Sequence, residues 1–209
     1  MKNGIDLDPV RAHFETSLSA HGPTPRGVDW NSDAAQAIRF EQLIRLCDLG
    51  RPFSILDYGC GYGALVDFLQ KKGAEFRYTG YDLLESMLAS ARDLHRDCLD
   101  CRFISREADL EPCDYAVASG VFNKKCETGP AEWQAYVLAS LEKLNALGRH
   151  GFAFNLLTGY SDPEYMRPDL YYPDPGFFLD HCIRRFSRRV ALLHDYGLYD
   201  FTILVRKDG

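Results

Sequence analysis

The most constraining feature of this 209-residue chain is a glycine-rich turn between an apolar run and a helical one. Phe53-Ser-Ile-Leu-Asp-Tyr58 has the length and composition of a buried strand. Gly59-Cys-Gly-Tyr-Gly63 follows, and a helical pattern starts at Ala64 and runs to about Lys72. Glycines at such a junction let backbone approach a ligand, because a Cβ would collide. The helix start behind them offers free N–H groups and the positive end of a dipole. A strand-turn-helix unit of this kind belongs in an α/β domain.

The rest of the chain keeps the same alternation. Met1 to about Ala20 reads as helix, His21–Gly27 as a breaker-rich loop, and Asn31-Ser32 as a cap for a helix to about Asp48. Strands are predicted over Phe76–Tyr81, Cys101–Ser105, Tyr115–Ser119 and Gly151–Leu157, with helices over Leu84–Arg96 and from Pro130 to about Ala146. A loop spans Thr158–Pro175 and holds four tyrosines, a length that points to function or disorder. A helix near Gly176–Phe186 precedes two strands, Arg189–His194 and Leu198–Arg206. Only Asp195-Tyr-Gly197 joins them, so they must pair antiparallel. The expected fold is therefore a mainly parallel sheet with its last strand reversed. Residues 1–209 form one domain, with 1–50 as an N-terminal helical cap and 51–209 as the core.

Three details sharpen the turn. Its spacing is G-x-G-x-G, not the G-x-G-x-x-G of dinucleotide binders. Asp57 lies two residues before the first glycine. Asp82 closes the next strand 23 residues after Gly59, where a carboxylate can accept from both hydroxyls of a ribose. Together these residues resemble motifs I and II of the class I S-adenosylmethionine-dependent methyltransferases. The likeness covers about residues 50–157 and extends to the terminal hairpin.

That resemblance implies a Rossmann-like fold with seven strands, the last antiparallel, and helices on both faces. It implies S-adenosylmethionine as cofactor. Gly59, Cys60, Gly61 and Gly63 would floor the methionine moiety, with Asp57 near its amino group. Asp82 would hold the ribose and Leu83 pack on the adenine. Asp109, with Ala108 beside it, would meet the adenine amine. Ser119, Gly120, Val121 and Phe122 would lie beneath the sulfonium. Trp30 would help close the site, and Arg39 would pair with the methionine carboxylate. More narrowly, segments such as Arg26-Gly-Val-Asp-Trp30, Ser119-Gly-Val-Phe-Asn123 and His194-Asp-Tyr-Gly-Leu-Tyr199 resemble a group of short bacterial methyltransferases with little functional knowledge attached.

Candidates for the chemistry lie at strand ends and in the long loop. Asn123 follows the fourth-strand motif and can orient an acceptor. Tyr172, with Tyr171, can wall a pocket or offer an aromatic face to a sulfonium. His194 ends the sixth strand on the active edge but near the sheet margin.

Composition narrows the partners. A formal charge of −6 argues against nucleic acid, no apolar run approaches the roughly 20 residues that cross a bilayer, and the first ten residues lack a secretory h-region. The seven cysteines are expected to be reduced thiols of a cytoplasmic protein. Cys98 and Cys101 form C-x-x-C, but Cys113 and Cys126 lack the spacing to complete a zinc knuckle, so no metal is expected. The function expected is metal-independent methyl transfer to O or N of a small metabolite, such as a sugar or a secondary-metabolite intermediate. Two alternatives stay open: a lyase that cyclises the cofactor and releases methylthioadenosine, and a non-catalytic cofactor-binding module.

Overall fold

The computed structural model describes residues 5–207. The part of the first predicted helix that falls on residues 1–4 lies outside them. Seven strands form one sheet: β1 (Phe53–Tyr58), β2 (Phe76–Tyr81), β3 (Cys101–Ile104), β4 (Cys113–Ala118), β5 (Gly148–Leu157), β6 (Arg189–Leu193) and β7 (Asp200–Arg206). Their spatial order is β3-β2-β1-β4-β5-β7-β6. β1 to β5 are parallel, and β7 runs antiparallel to both β5 and β6. This is the expected Rossmann-like sheet with one reversed strand. The order reverses between β1 and β4, and such switch points open a crevice at the carboxyl ends of the strands.

Side-chain alternation divides the core into two faces. Leu56, Tyr58, Phe152, Phe154 and Leu156 pack on one face, with Trp133 and Val137 of α5 (Pro130–Leu147) and Phe178 of α6 (Pro175–Arg185). Phe53, Ile55 and Ala153 point to the other. That side is covered by α2 (Asp33–Ile44), α3 (Ala64–Lys71) and α4 (Glu85–Leu94), through Phe40, Leu43, Leu65, Val66 and Leu88. The first helix, α1 (Asp8–His21), adds Val10 to the α5 face.

Local chemistry sets the boundaries. Ser32 caps α2, accepting from the Ala35 N–H at 3.1 Å. α2 stops at Ile44, earlier than expected, because the Leu46 and Cys47 N–H groups turn back onto Leu43 and Ile44. β5 begins at Gly148 rather than Gly151, with a register shift against β4 at Cys113–Tyr115.

Two expectations need correction. Cys98 and Cys101 form a disulfide across the turn between α4 and β3, so the thiol reading fails for this pair. The turn brings their Cα atoms to 5.4 Å, within bridging range. The 158–175 loop is also less free than its length implied. The Lys125 and Cys126 N–H groups donate to the Asp169 carbonyl, and the Tyr171 N–H donates to that of Asn123. Lys124 and Leu170 form an isolated β-bridge. Among the described residues, no helix is long and apolar enough to cross a membrane.

Candidate functional site

The carboxyl ends of β1, β2 and β4 meet at a cavity. Gly59, Cys60 and Gly61 of the glycine turn line its floor. Gly59, Gly61 and Gly63 have φ of +81°, +54° and +83°, a left-handed run that side chains resist. The Gly59 and Cys60 N–H groups both donate to the Tyr81 carbonyl, at 2.7 and 2.9 Å, which ties the turn to the end of β2.

Asp82 has two structural duties. One carboxylate oxygen accepts from the Gly61 N–H at 2.8 Å, and the other from the Leu84 N–H at 3.0 Å, at the start of α4. The bond from Leu84 is a local turn ahead of α4 rather than a cap, since the N-cap residue is Leu84 and no side chain caps the helix; the tie to the glycine turn is not visible in sequence. Burial raises its pKa, and these backbone donors pull it back. A carboxylate has about four lone-pair sites, so Asp82 keeps capacity to accept from a ligand as well.

Asp57 is buried in the cavity wall and accepts from the Tyr78 hydroxyl at 2.7 Å. Burial pushes its pKa up to about 7, the Tyr78 bond opposes this, and the charge of Asp82 adds to it. No cation pairs with it among the described residues, so this carboxylate suits a ligand ammonium group. Leu83 and Cys60 also line the cavity. Tyr58 and Tyr81, not anticipated from sequence, pack in its wall with ring centroids 4.9 Å apart and planes tilted by 40°.

The loop after β4 forms the opposite side. The Gly120 N–H donates to Asn155 Oδ1 at 2.7 Å, and Asn155 Nδ2 reaches Ser119 Oγ at 3.5 Å. Val121 lies against Gly59, where an added Cβ would come within 2.3 Å of it. Ser119, Gly120 and Val121 therefore all reach the cavity. α1 covers the mouth with Leu7, Val10 and Phe14 near it.

A second cavity also has Trp30 in its wall. Asn123 lines it, with its side-chain oxygen accepting from the Leu157 N–H at 3.1 Å. Tyr172 lines it too, its hydroxyl accepting from the Arg167 N–H at 3.2 Å. Lys124 and Arg167 share Asp169, at 2.5 and 2.7 Å.

Six anticipated residues are placed differently. Gly63 lies against His95 and Phe103 rather than in a cavity wall, and Phe122 is fully buried and lines neither cavity. Arg39 does not line the first cavity. Its guanidinium pairs with Asp200 at 2.5 Å, beside the second. Asp200, a buried acid at the first position of β7, is the signal that sequence reasoning missed. Ala108 and Asp109 are exposed and outside both cavity walls, and Asp109 faces Arg106 at 3.5 Å. His194 is exposed at the sheet margin, its ring 5.9 Å from that of Tyr160, and lines neither cavity.

These features fit a nucleoside–amino acid donor: a glycine cradle, a buried carboxylate lacking a cation, and an acid at the end of β2. Relatives agree. The methyltransferase domain family matches residues 55–140. A Mycobacterium tuberculosis (strain ATCC 25618 / H37Rv) protein provisionally named a methyltransferase, Rv1506c, is 49% identical over 164 residues, covering 78% of this chain and 99% of its own. In fold, the chain is similar to the magnesium protoporphyrin IX methyltransferase of Synechocystis PCC 6803 with bound SAM, at TM-score 0.66 and 16% identity, covering 99% of this chain and 100% of that one. It is also similar to the Burkholderia thailandensis 1,6-didemethyltoxoflavin-N1-methyltransferase with bound substrate and S-adenosylhomocysteine, at TM-score 0.63 and 21% identity, covering 100% and 94%. The chain belongs to the class I S-adenosylmethionine-dependent methyltransferases, and its cofactor is S-adenosylmethionine.

Proposed function

We propose that this methyltransferase moves the methyl group to an oxygen or nitrogen of a small metabolite that enters the second cavity. The observation that carries the reading is the pair of cavities, which share a wall at Trp30 and Gly120. A site that only cyclised its own cofactor would need no room beyond the first. S-adenosylmethionine supplies a methyl group on a sulfonium, open to in-line displacement by a positioned nucleophile.

The chain's residues divide the work. The glycine turn and Asp57 hold the amino acid end of the donor, Asp57 as the anion facing its ammonium group. Asp82 holds the ribose with its remaining lone pairs, and Leu83 contacts the base. Asn123 orients the acceptor: its oxygen is taken by Leu157, so its amide N–H groups are left to donate. The aromatic walls of Tyr172 and Trp30 exclude water from the reacting atoms. Transfer runs without a metal.

The test is incubation of the purified protein with S-adenosylmethionine and pooled small hydroxyl- and amine-bearing metabolites, read by mass spectrometry. An acceptor gaining one methyl, with S-adenosylhomocysteine formed alongside, is expected. Asp82→Ala should abolish turnover, because two backbone ties of about 1.5–3 kcal/mol each are lost. Methylthioadenosine formed without any acceptor would replace transfer by cyclisation.

A further inference from the structure

Donor carbon and acceptor atom must come within about 3 Å for displacement, so the two cavities must meet. Four residues line both: Phe14, Val28, Trp30 and Gly120. Gly120 has no side chain, and the six-membered edge of the Trp30 indole lies flush against it. A Cβ at Gly120 would sit 2.3 Å from Trp30 Cζ2 and 2.4 Å from Cη2. Gly120 also has φ +72°, so the flat contact depends on glycine twice over.

The indole is held from behind. The Arg39 guanidinium carbon lies 4.0 Å from the ring centroid. Its Nη1 donates to the Ala35 carbonyl at 2.9 Å and its Nη2 to Asp200 at 2.5 Å. These two side chains are 9% and 0% exposed. The segment leading into Trp30 is fixed as well: Asp29 meets His13 of α1 at 2.5 Å. Yet Arg39 Nε and Asp200 Oδ1 are buried with no hydrogen-bond partner among the described residues. An incompletely bonded buried ion pair stabilises a fold less than apolar packing of similar volume. Stability alone therefore does not account for it, whereas a planar cation fixed beneath an indole does.

We propose that Trp30 is the specificity-determining residue of the transfer, limiting the size of the group admitted where donor and acceptor cavities join. Arg39 and Asp200 are its positioning pair. The inference rests on the first cavity being the donor site, and it concerns what that site rejects.

The probes are S-adenosylhomocysteine and a donor analogue bearing a benzyl group on the sulfonium sulfur, titrated by calorimetry so that no acceptor is needed. The wild-type protein should bind the benzyl analogue at least about tenfold more weakly than S-adenosylhomocysteine, the penalty of overpacking a filled wall. Trp30→Ala should bring the two within about threefold, and Trp30→Phe should fall between. Asp200→Asn keeps the indole but loosens its support, so it should move discrimination toward the alanine variant while thermal unfolding confirms a folded protein. Equal wild-type affinity for both probes would overturn the inference, as would undiminished discrimination in a folded Trp30→Ala protein. Failure of wild-type protein to bind S-adenosylhomocysteine would instead remove the donor site on which it rests.

Discussion

The two cavities stand on either side of one indole, yet they are held open by different means. The first is built from backbone: the Gly59 and Cys60 N–H groups on the Tyr81 carbonyl, and a single carboxylate gathering N–H groups from Gly61 and Leu84. Its parts come from short segments at neighbouring strand ends. The second is built from side chains that meet across the chain. Arg39 and Asp200 are 161 residues apart, Lys124 and Asp169 are 45, and Asn123 reaches the Leu157 N–H across 34. A backbone cradle changes only if strands move. A wall of paired side chains can be altered one residue at a time, so the donor site is fixed by the fold while the acceptor site can be retuned within it.

The largest expected effect probes that wall. Arg39→Met strips the buried Asp200 of its cation and should cost about 3 kcal/mol, seen in denaturant unfolding. Arg39→Met/Asp200→Leu replaces the charged pair by apolar volume and should recover most of the loss. If single and double variants were equally unstable, the wall would not depend on the ion pair, and the contrast between the cavities would fail.

The same contrast explains what the sequence disclosed. β1 and β2 fall at their expected residues, because turn signals bound each apolar run on both sides. The glycine turn, Asp57 and Asp82 are legible because a local backbone cradle leaves a local pattern. Ser119 to Val121 and Asn123 follow from their position at a strand end. Arg39 was expected to meet a ligand carboxylate; its partner 161 residues away leaves no trace in local spacing. His194 was placed on the correct sheet edge, but the edge alone does not give the distance: β6 is the outermost strand. The C-x-x-C spacing was plain, whereas its oxidation was not, since spacing is silent about redox state. Asp109 sits in a short 3-10 turn beside Arg106, a local ion pair that a motif position does not reveal.

A smaller effect separates the cavities by pH. Asp57 has a pKa of about 7 in the folded protein, raised from its ordinary 3.8 chiefly by burial. The folded state therefore keeps a proton that the unfolded chain releases. This contribution to stability is present below about pH 4 and is lost as pH climbs through 7. Donor binding should run the other way, because the ligand ammonium group favours the ionised carboxylate. S-adenosylhomocysteine should bind more tightly from about pH 6 to 8, with a proton released by Asp57. Calorimetry in buffers of differing ionisation enthalpy reads that proton. Asp57→Asn should flatten both profiles, and a slope surviving in that variant would assign the titration to another group.

The smallest effect lies in the second cavity, where Tyr172→Phe removes a hydroxyl that accepts one backbone N–H at 3.2 Å. The residue is half-buried, so water can replace the bond, and stability should fall by about 0.5 kcal/mol. Affinity for S-adenosylhomocysteine should not change, since Tyr172 does not line the first cavity. With an acceptor in hand, the kinetics decide what the ring does. A raised KM with kcat preserved means the hydroxyl only helps shape a wall, as expected of a side-chain-built cavity. An equal fall in kcat and kcat/KM would make it a group acting in the transition state. In that case the second cavity would hold chemistry as well as shape, and its side chains would be less open to change than their construction implies.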